Sequence, residues 1–167
     1  MRRVLKLLAM TLLALGIGVT PALAQNPHFI GDPTCSGKTI TSNRASITCS
    51  GSVAGLGTGK VAIFLTADSV RATYLCVNKG GNTAPGHPAI FQDLAGPTQT
   101  ITPRQGRVNF SVVLQTPPNP SPKDAGCPNN NWRVVLTTAT FNNVVLHVEQ
   151  PVGTEILHAD FGNIDPS

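Results

Sequence analysis

Val61-Ala62-Ile63-Phe64-Leu65-Thr66-Ala67, followed by Asp68-Ser69 and then Arg71-Ala72-Thr73-Tyr74-Leu75-Cys76-Val77, decides the fold. Val61, Ile63 and Leu65, then Ala72, Tyr74 and Cys76, recur at every second position, the period that sends alternate side chains to one face of a strand. Two strand segments are expected, with a bulge near Asp68-Ser69. Upstream, 55–60 is Gly-rich and reads as a turn. Residues 46–54 form a strand with Ile47, Cys49 and Val53 on one face, preceded by a short strand at 39–41 across Ser42-Asn43-Arg44. Downstream, 78–97 is rich in Gly, Asn and Pro and is expected to be a long surface loop. Residues 98–102 and 106–116 read as a hairpin about Pro103-Arg104-Gln105, with Val108, Phe110, Val112 and Leu114 inward. Residues 117–122 hold four prolines and must run outside any sheet interior. A second hairpin is expected from 132–140 and 144–150 across Asn142-Asn143, and 155–158 adds an edge strand. Eight or nine such strands, with no helical period among them, suggest an all-β fold, an antiparallel β-sandwich of immunoglobulin-like form.

The first 24 residues stand apart. Arg2, Arg3 and Lys6 precede an apolar run at 7–19, and Ala22-Leu23-Ala24 has the small-x-small form of a leader cleavage site. The run is shorter than the roughly 20 residues a spanning helix needs, so a signal peptide is expected rather than an anchor. The expected secreted domain is 25–167. Of 12 basic residues three lie in the leader, leaving nine against eight acidic ones and a net charge of +1. That balance gives no reason to expect nucleic acid as a partner.

Four cysteines follow the leader, Cys35, Cys49, Cys76 and Cys127, an even number that reads as two disulfides in an oxidising compartment. Zinc sites use close Cys or His pairs, which this spacing lacks, so no metal and no cofactor are expected. A hairpin centred on residue 42 opposes positions whose numbers sum to 84, and Cys35 and Cys49 satisfy that sum. Cys76 and Cys127 would then pair with each other. The rival arrangement joins Cys49 to Cys76, and Tyr74-Leu75-Cys76 has the Tyr-x-Cys form that such a bridge favours.

Two familiar motifs fail on inspection. Residues 54–61 suggest a phosphate loop, but Ala54 stands where its first glycine belongs and Val61 where Ser or Thr should follow Lys60. Gly51-Ser52-Val53-Ala54-Gly55 has Val53 where a nucleophile elbow needs serine. The carboxylates and the four histidines are scattered, so no catalytic residues are assigned and no enzyme is expected. Trp132, the only tryptophan, is expected to pack in the core rather than form a ligand platform.

Ala54-Gly55-Leu56-Gly57, then Cys76-Val77-Asn78-Lys79-Gly80-Gly81-Asn82 with Ala84-Pro85-Gly86, then Cys127-Pro128-Asn129 shortly before Trp132, resemble a group of small exported actinobacterial proteins. The likeness covers 29–157 and implies an exported β-sandwich with Cys76 paired to Cys127. It implies no activity. His87 departs from the group's pattern, where a polar residue such as Gln would be expected.

The expectation for function is a secreted binding or interaction module with an extracellular partner and no membrane anchor after the leader. Two Gly/Asn/Pro-rich loops, 78–97 and 116–131, would form one surface, with Lys79, Asn82, His87, Lys123 and Asn130 as binding residues. Two other readings are a structural envelope or matrix protein without a ligand, and a proteinase inhibitor displaying Pro120-Ser121-Pro122-Lys123-Asp124.

Overall fold

A computed structural model describes residues 26–165. The expected leader, 1–24, lies outside the described residues. Among them are ten strands and no helix: β1 (His28–Phe29), β2 (Thr34–Ile40), β3 (Ala45–Ala54), β4 (Val61–Val77), β5 (Thr83–Pro85), β6 (Ala89–Ala95), β7 (Gln99–Ile101), β8 (Val108–Gln115), β9 (Arg133–Glu149) and β10 (Glu155–Ile164). All pairings are antiparallel. In one sheet β3 is central, with β8 on one edge and β1 and β2 end to end on the other. In the second sheet β9 lies between β10 and β4, and the far edge of β4 is shared by β7, β6 and β5 in turn.

Both sheets feed one core. Ile47, Cys49 and Val53 of β3 and Val108, Phe110, Val112 and Leu114 of β8 cluster with Ile63, Leu65, Val70 and Tyr74 of β4 and Leu136, Phe141, Leu146 and Val148 of β9. Each large side chain so buried is worth about 1.5–3 kcal/mol against exposure. Burial also pushes the Tyr74 hydroxyl above its ordinary pKa.

Besides the unexpected β1, and β2 and β10 that are longer than the strands expected at 39–41 and 155–158, the strand pattern differs from the expectation at four places. Residues 61–77 form one strand, not two. No register shift falls at Asp68-Ser69, the one shift against β9 lying at Thr73/Tyr74, but the parity changes there: Val61, Ile63, Leu65 and Ala67 face the core, then Val70, Ala72, Tyr74 and Cys76. Residues 133–149 likewise form one strand, and Asn142-Asn143 is a break in parity between Phe141 and Val144 rather than a turn. Residues 78–97 are not a single loop. The 17-residue β4 has an edge to satisfy, and β5 and β6 hydrogen-bond along it, from Cys76↔Ala84 to Thr66↔Ala95. The expected hairpin at 98–116 is divided between the sheets, β7 pairing with β4 and β8 with β3.

Between β6 and β7, both on the β4 edge, the chain passes close against β8 of the other sheet. At Gly96, whose N–H donates to the Leu65 carbonyl at 2.8 Å, a Cβ would collide with the backbone carbonyl of Val113. Only glycine fits there.

Both disulfides of the preferred arrangement are present, Cys35 with Cys49 and Cys76 with Cys127. Cys35 and Cys49 are opposed in the β2–β3 ladder. The sum of 84 holds from Thr34↔Ser50 to Ser36↔Thr48, and a one-residue shift carries the pairing to Thr39↔Ser46 nearer the turn. Paired cysteines persist in oxidising compartments and are consistent with an extracellular protein.

Candidate functional site

The two expected loop regions meet at the end of the molecule where β4 finishes. Beyond Val77 the chain closes a tight turn: the Asn78 side-chain oxygen accepts the Asn82 N–H at 2.9 Å, and the Gly81 N–H reaches the Asn78 carbonyl at 3.1 Å. Gly86 then donates to the Tyr74 carbonyl at 2.9 Å, which holds the returning chain on the β4 edge.

The second region is anchored by Asn119, in the middle of the prolines. Its side-chain amide donates to the carbonyls of Ser42 and Val134, both at 2.8 Å. A segment poor in backbone donors is thereby fixed to the β2–β3 turn and to β9. Residues 122–126 form consecutive turns. Ala125 N–H donates to the Ser121 carbonyl at 2.9 Å, the Ser121 hydroxyl to Asp124 at 2.6 Å, and Cys127 N–H to the Pro122 carbonyl at 2.8 Å.

Three links join these regions. Cys76 and Cys127 are bonded, with Cα atoms 5.6 Å apart. His87 N–H donates to the Ala125 carbonyl at 2.8 Å. The His87 ring lies against Gly126, whose φ of 69° suits glycine and where a Cβ would come within 2.5 Å of the ring.

Two adjoining surface hollows lie across the junction. One, of about 430 Å³, is lined by Val77, Asn78, Lys79, Gly81, Asn131 and Arg133. The other, of about 400 Å³, is lined by Asn78, Lys79, Gly80, Asn129, Asn131 and Trp132. Of the five expected binding residues, all are exposed, and Lys79 alone lines the hollows. Asn82 closes the 78–82 turn and His87 seals the junction. Lys123 and Asn130 stand elsewhere on the second region.

Trp132 is a correction. It is half-buried, has no place in the core cluster, and lines a hollow. β9 begins only at Arg133, so Trp132 belongs to the preceding turn, its N–H donating to the Asn129 carbonyl at 3.3 Å. The polar run Asn129-Asn130-Asn131 before it was the available signal. Asn78, Asn131 and Arg133 were also missed.

Titratable groups do converge elsewhere, on the outer face of the second sheet. Glu155 of β10 contacts His147 Nδ1 of β9 at 2.5 Å and His158 Nδ1 at 3.1 Å, while His147 Nε2 meets the Thr66 hydroxyl of β4 at 2.8 Å. The His147 ring also stacks on Phe64, with centroids 4.9 Å apart. Hydrogen bonding and attraction from His147, reinforced by His158, hold the Glu155 carboxyl below its ordinary pKa. Carboxylate, imidazole and hydroxyl stand in series, as acyl transfer uses them. However, Thr66 has ladder partners on both sides, Ala95 and Val145, so the backbone donors that would stabilise an oxyanion are already committed. The chain cross-links three strands. Among the described residues no three His, Cys, Asp or Glu side chains are grouped to hold a metal ion.

A third hollow, of about 540 Å³, lies toward the opposite end of β4, lined by Ile30, Ser52, Ile101, Thr102, Arg104, Arg107, Val108 and Asn109. No protein-family model matches this chain, and neither a curated protein nor a solved structure does so.

Proposed function

We propose that this chain is an exported binding module, an immunoglobulin-like β-sandwich without a catalytic role, related to the small actinobacterial proteins it resembles. It meets an extracellular partner through the surface shared by 78–87 and 121–133. The observation that carries this reading is the triple junction of Cys76–Cys127, His87 with Ala125, and His87 with Gly126. Loops tied together in advance lose less freedom on binding, so more of the contact energy remains as affinity. Lys79, Asn82, His87, Lys123 and Asn130 are the proposed contacts, to which the hollows add Asn131, Trp132 and Arg133.

An inhibitor built on residues 120–124 has less support. Addition of a strand to a proteinase needs extended backbone, and 122–126 are turns. A ligand-free envelope role predicts no specific capture at all.

Affinity capture from native extracellular medium tests the proposal. Lys79→Ala with Lys123→Ala should leave stability within about 0.5 kcal/mol of the parent, as exposed substitutions do, and should abolish capture of the partner. Undiminished capture refutes the loop surface.

A further inference from the structure

We infer that the paired hollows beside Trp132 bind a carboxylated saccharide, a sugar chain bearing uronate-type acid groups; this rests on the loop surface proposed above and names its ligand class. Trp132 supplies an apolar platform in an otherwise polar lining. An indole can cover the C–H face of a pyranose ring while its N–H remains wet. Around it stand Asn78, Asn129 and Asn131, whose amides both donate and accept and so match sugar hydroxyls, which do the same. Two of these amides are already oriented. Asn78 Oδ1 accepts the Asn82 N–H at 2.9 Å and Asn129 Oδ1 accepts the Asn131 N–H at 3.0 Å. Each therefore keeps its NH₂ group for a ligand.

Charge selects among saccharides. Lys79 and Arg133 line the hollows, and no carboxylate lines either. Among the described residues neither cation takes part in an ion pair. An acidic ligand is thus favoured over a neutral one, and Arg133 can take a carboxylate in two-point fashion. The hollows share Asn78, Lys79 and Asn131 and so adjoin, and in this proposal they act as one trough for successive sugar units. A nucleic acid strand has an aromatic-stacking component too, but its backbone requires a track of cations, and the chain after residue 24 has nine basic residues against eight acidic.

Because Trp132 is the only tryptophan, intrinsic fluorescence reports directly on the trough. Oligogalacturonate and oligoalginate should change the emission saturably. Methyl-esterified oligogalacturonate should bind about tenfold more weakly or worse, and Lys79→Ala with Arg133→Ala should weaken the acidic probes by a similar factor without altering the melting temperature. Calorimetry on Trp132→Ala should show an equal or larger loss. Absence of response to both acidic probes, equal affinity for the ester, or tighter binding of oligothymidylate would overturn the inference. The capture experiment separates the two levels: silence toward the sugars, with capture of another extracellular partner still lost in Lys79→Ala with Lys123→Ala, sinks the saccharide and leaves the loop surface standing. Capture that survives those substitutions sinks the loop surface as well.

Discussion

Glu155 holds two imidazoles at once, His147 from the neighbouring strand and His158 from its own, with Asp160 also near His158 at 3.9 Å. The folded protein lowers the Glu155 pKa, so in acid the unfolded chain binds more protons at this group. Its contribution is present above the unfolded carboxylate pKa, about 4.3, and is lost as pH falls through the lower folded value. The carboxylate is 43 % exposed, which keeps the effect modest. Glu155→Gln is expected to lower the urea midpoint at neutral pH and to narrow its gap from the parent on acidification from about pH 6 to about pH 3. A gap independent of pH would assign the effect to packing. Gly96 offers a test without charge. Its missing Cβ leaves room for the Val113 carbonyl, and since backbone in a sheet cannot swing aside, Gly96→Ala should destabilise by about 1–3 kcal/mol in denaturant titration.

The long strands of the second sheet are kept together by a coordinated irregularity. Asp68-Ser69 in β4 faces Asn142-Asn143 in β9 on one side and Gln92-Asp93 in β6 on the other, with Gly162-Asn163 of β10 beyond β9. In each strand the inward parity changes at this row, as from Phe91 to Leu94 and from Phe141 to Val144. Asp93, Asn143 and Gly162 have positive φ. Because β4 and β9 change together, their register is undisturbed across the row, from Ala62↔Glu149 to Thr73↔Thr138. Side chains satisfy the disrupted backbone: Asn143 donates through its amide to Asp68 at 2.8 Å and through its N–H to Asn163 at 3.1 Å. Asn143→Val should therefore destabilise by about 1–3 kcal/mol, from positive-φ strain and lost hydrogen bonding, and Asn143→Gly by less because glycine keeps the conformation. Equal losses in urea titrations would show that backbone strain plays no part. This row also explains what could be read from sequence. The break in alternation at Asp68-Ser69 was legible because apolar residues flank it on both sides. At Asn142-Asn143 the same device looked like a hairpin, since Asn-Asn favours positive φ in turns and bulges alike. β5 and β6 were hidden because Gly80, Gly81, Pro85, Gly86 and Pro88 surround them with turn signals, and such short strands form only where β4 provides an edge. Trp132 was misread for a related reason: its residue type suggests burial, and only the start of β9 one residue later places it outside.

At the scale of the molecule the disulfides act on different things. Cys35–Cys49 spans 14 residues within one ladder, whereas Cys76–Cys127 spans 51 and unites two separate regions. In the chain-entropy model the shorter closure is worth about 3 kcal/mol and the longer about 4 kcal/mol. Replacing Cys76 and Cys127 together by Ala should accordingly lower stability more than replacing Cys35 and Cys49, and should also weaken capture, while loss of the first bridge leaves capture unchanged in the folded protein. β4 separates the two ends of the molecule by roughly 50 Å, with the Lys79 hollows at one end and the Arg104–Arg107 hollow near the other. That separation allows one decisive comparison. Partner capture from native extracellular medium should be measured for Lys79→Ala with Lys123→Ala and, in parallel, for Arg104→Ala with Arg107→Ala. The loop surface predicts loss of capture in the first pair and full capture in the second, at unchanged melting temperature in both; full capture in the first pair with loss in the second would contradict it.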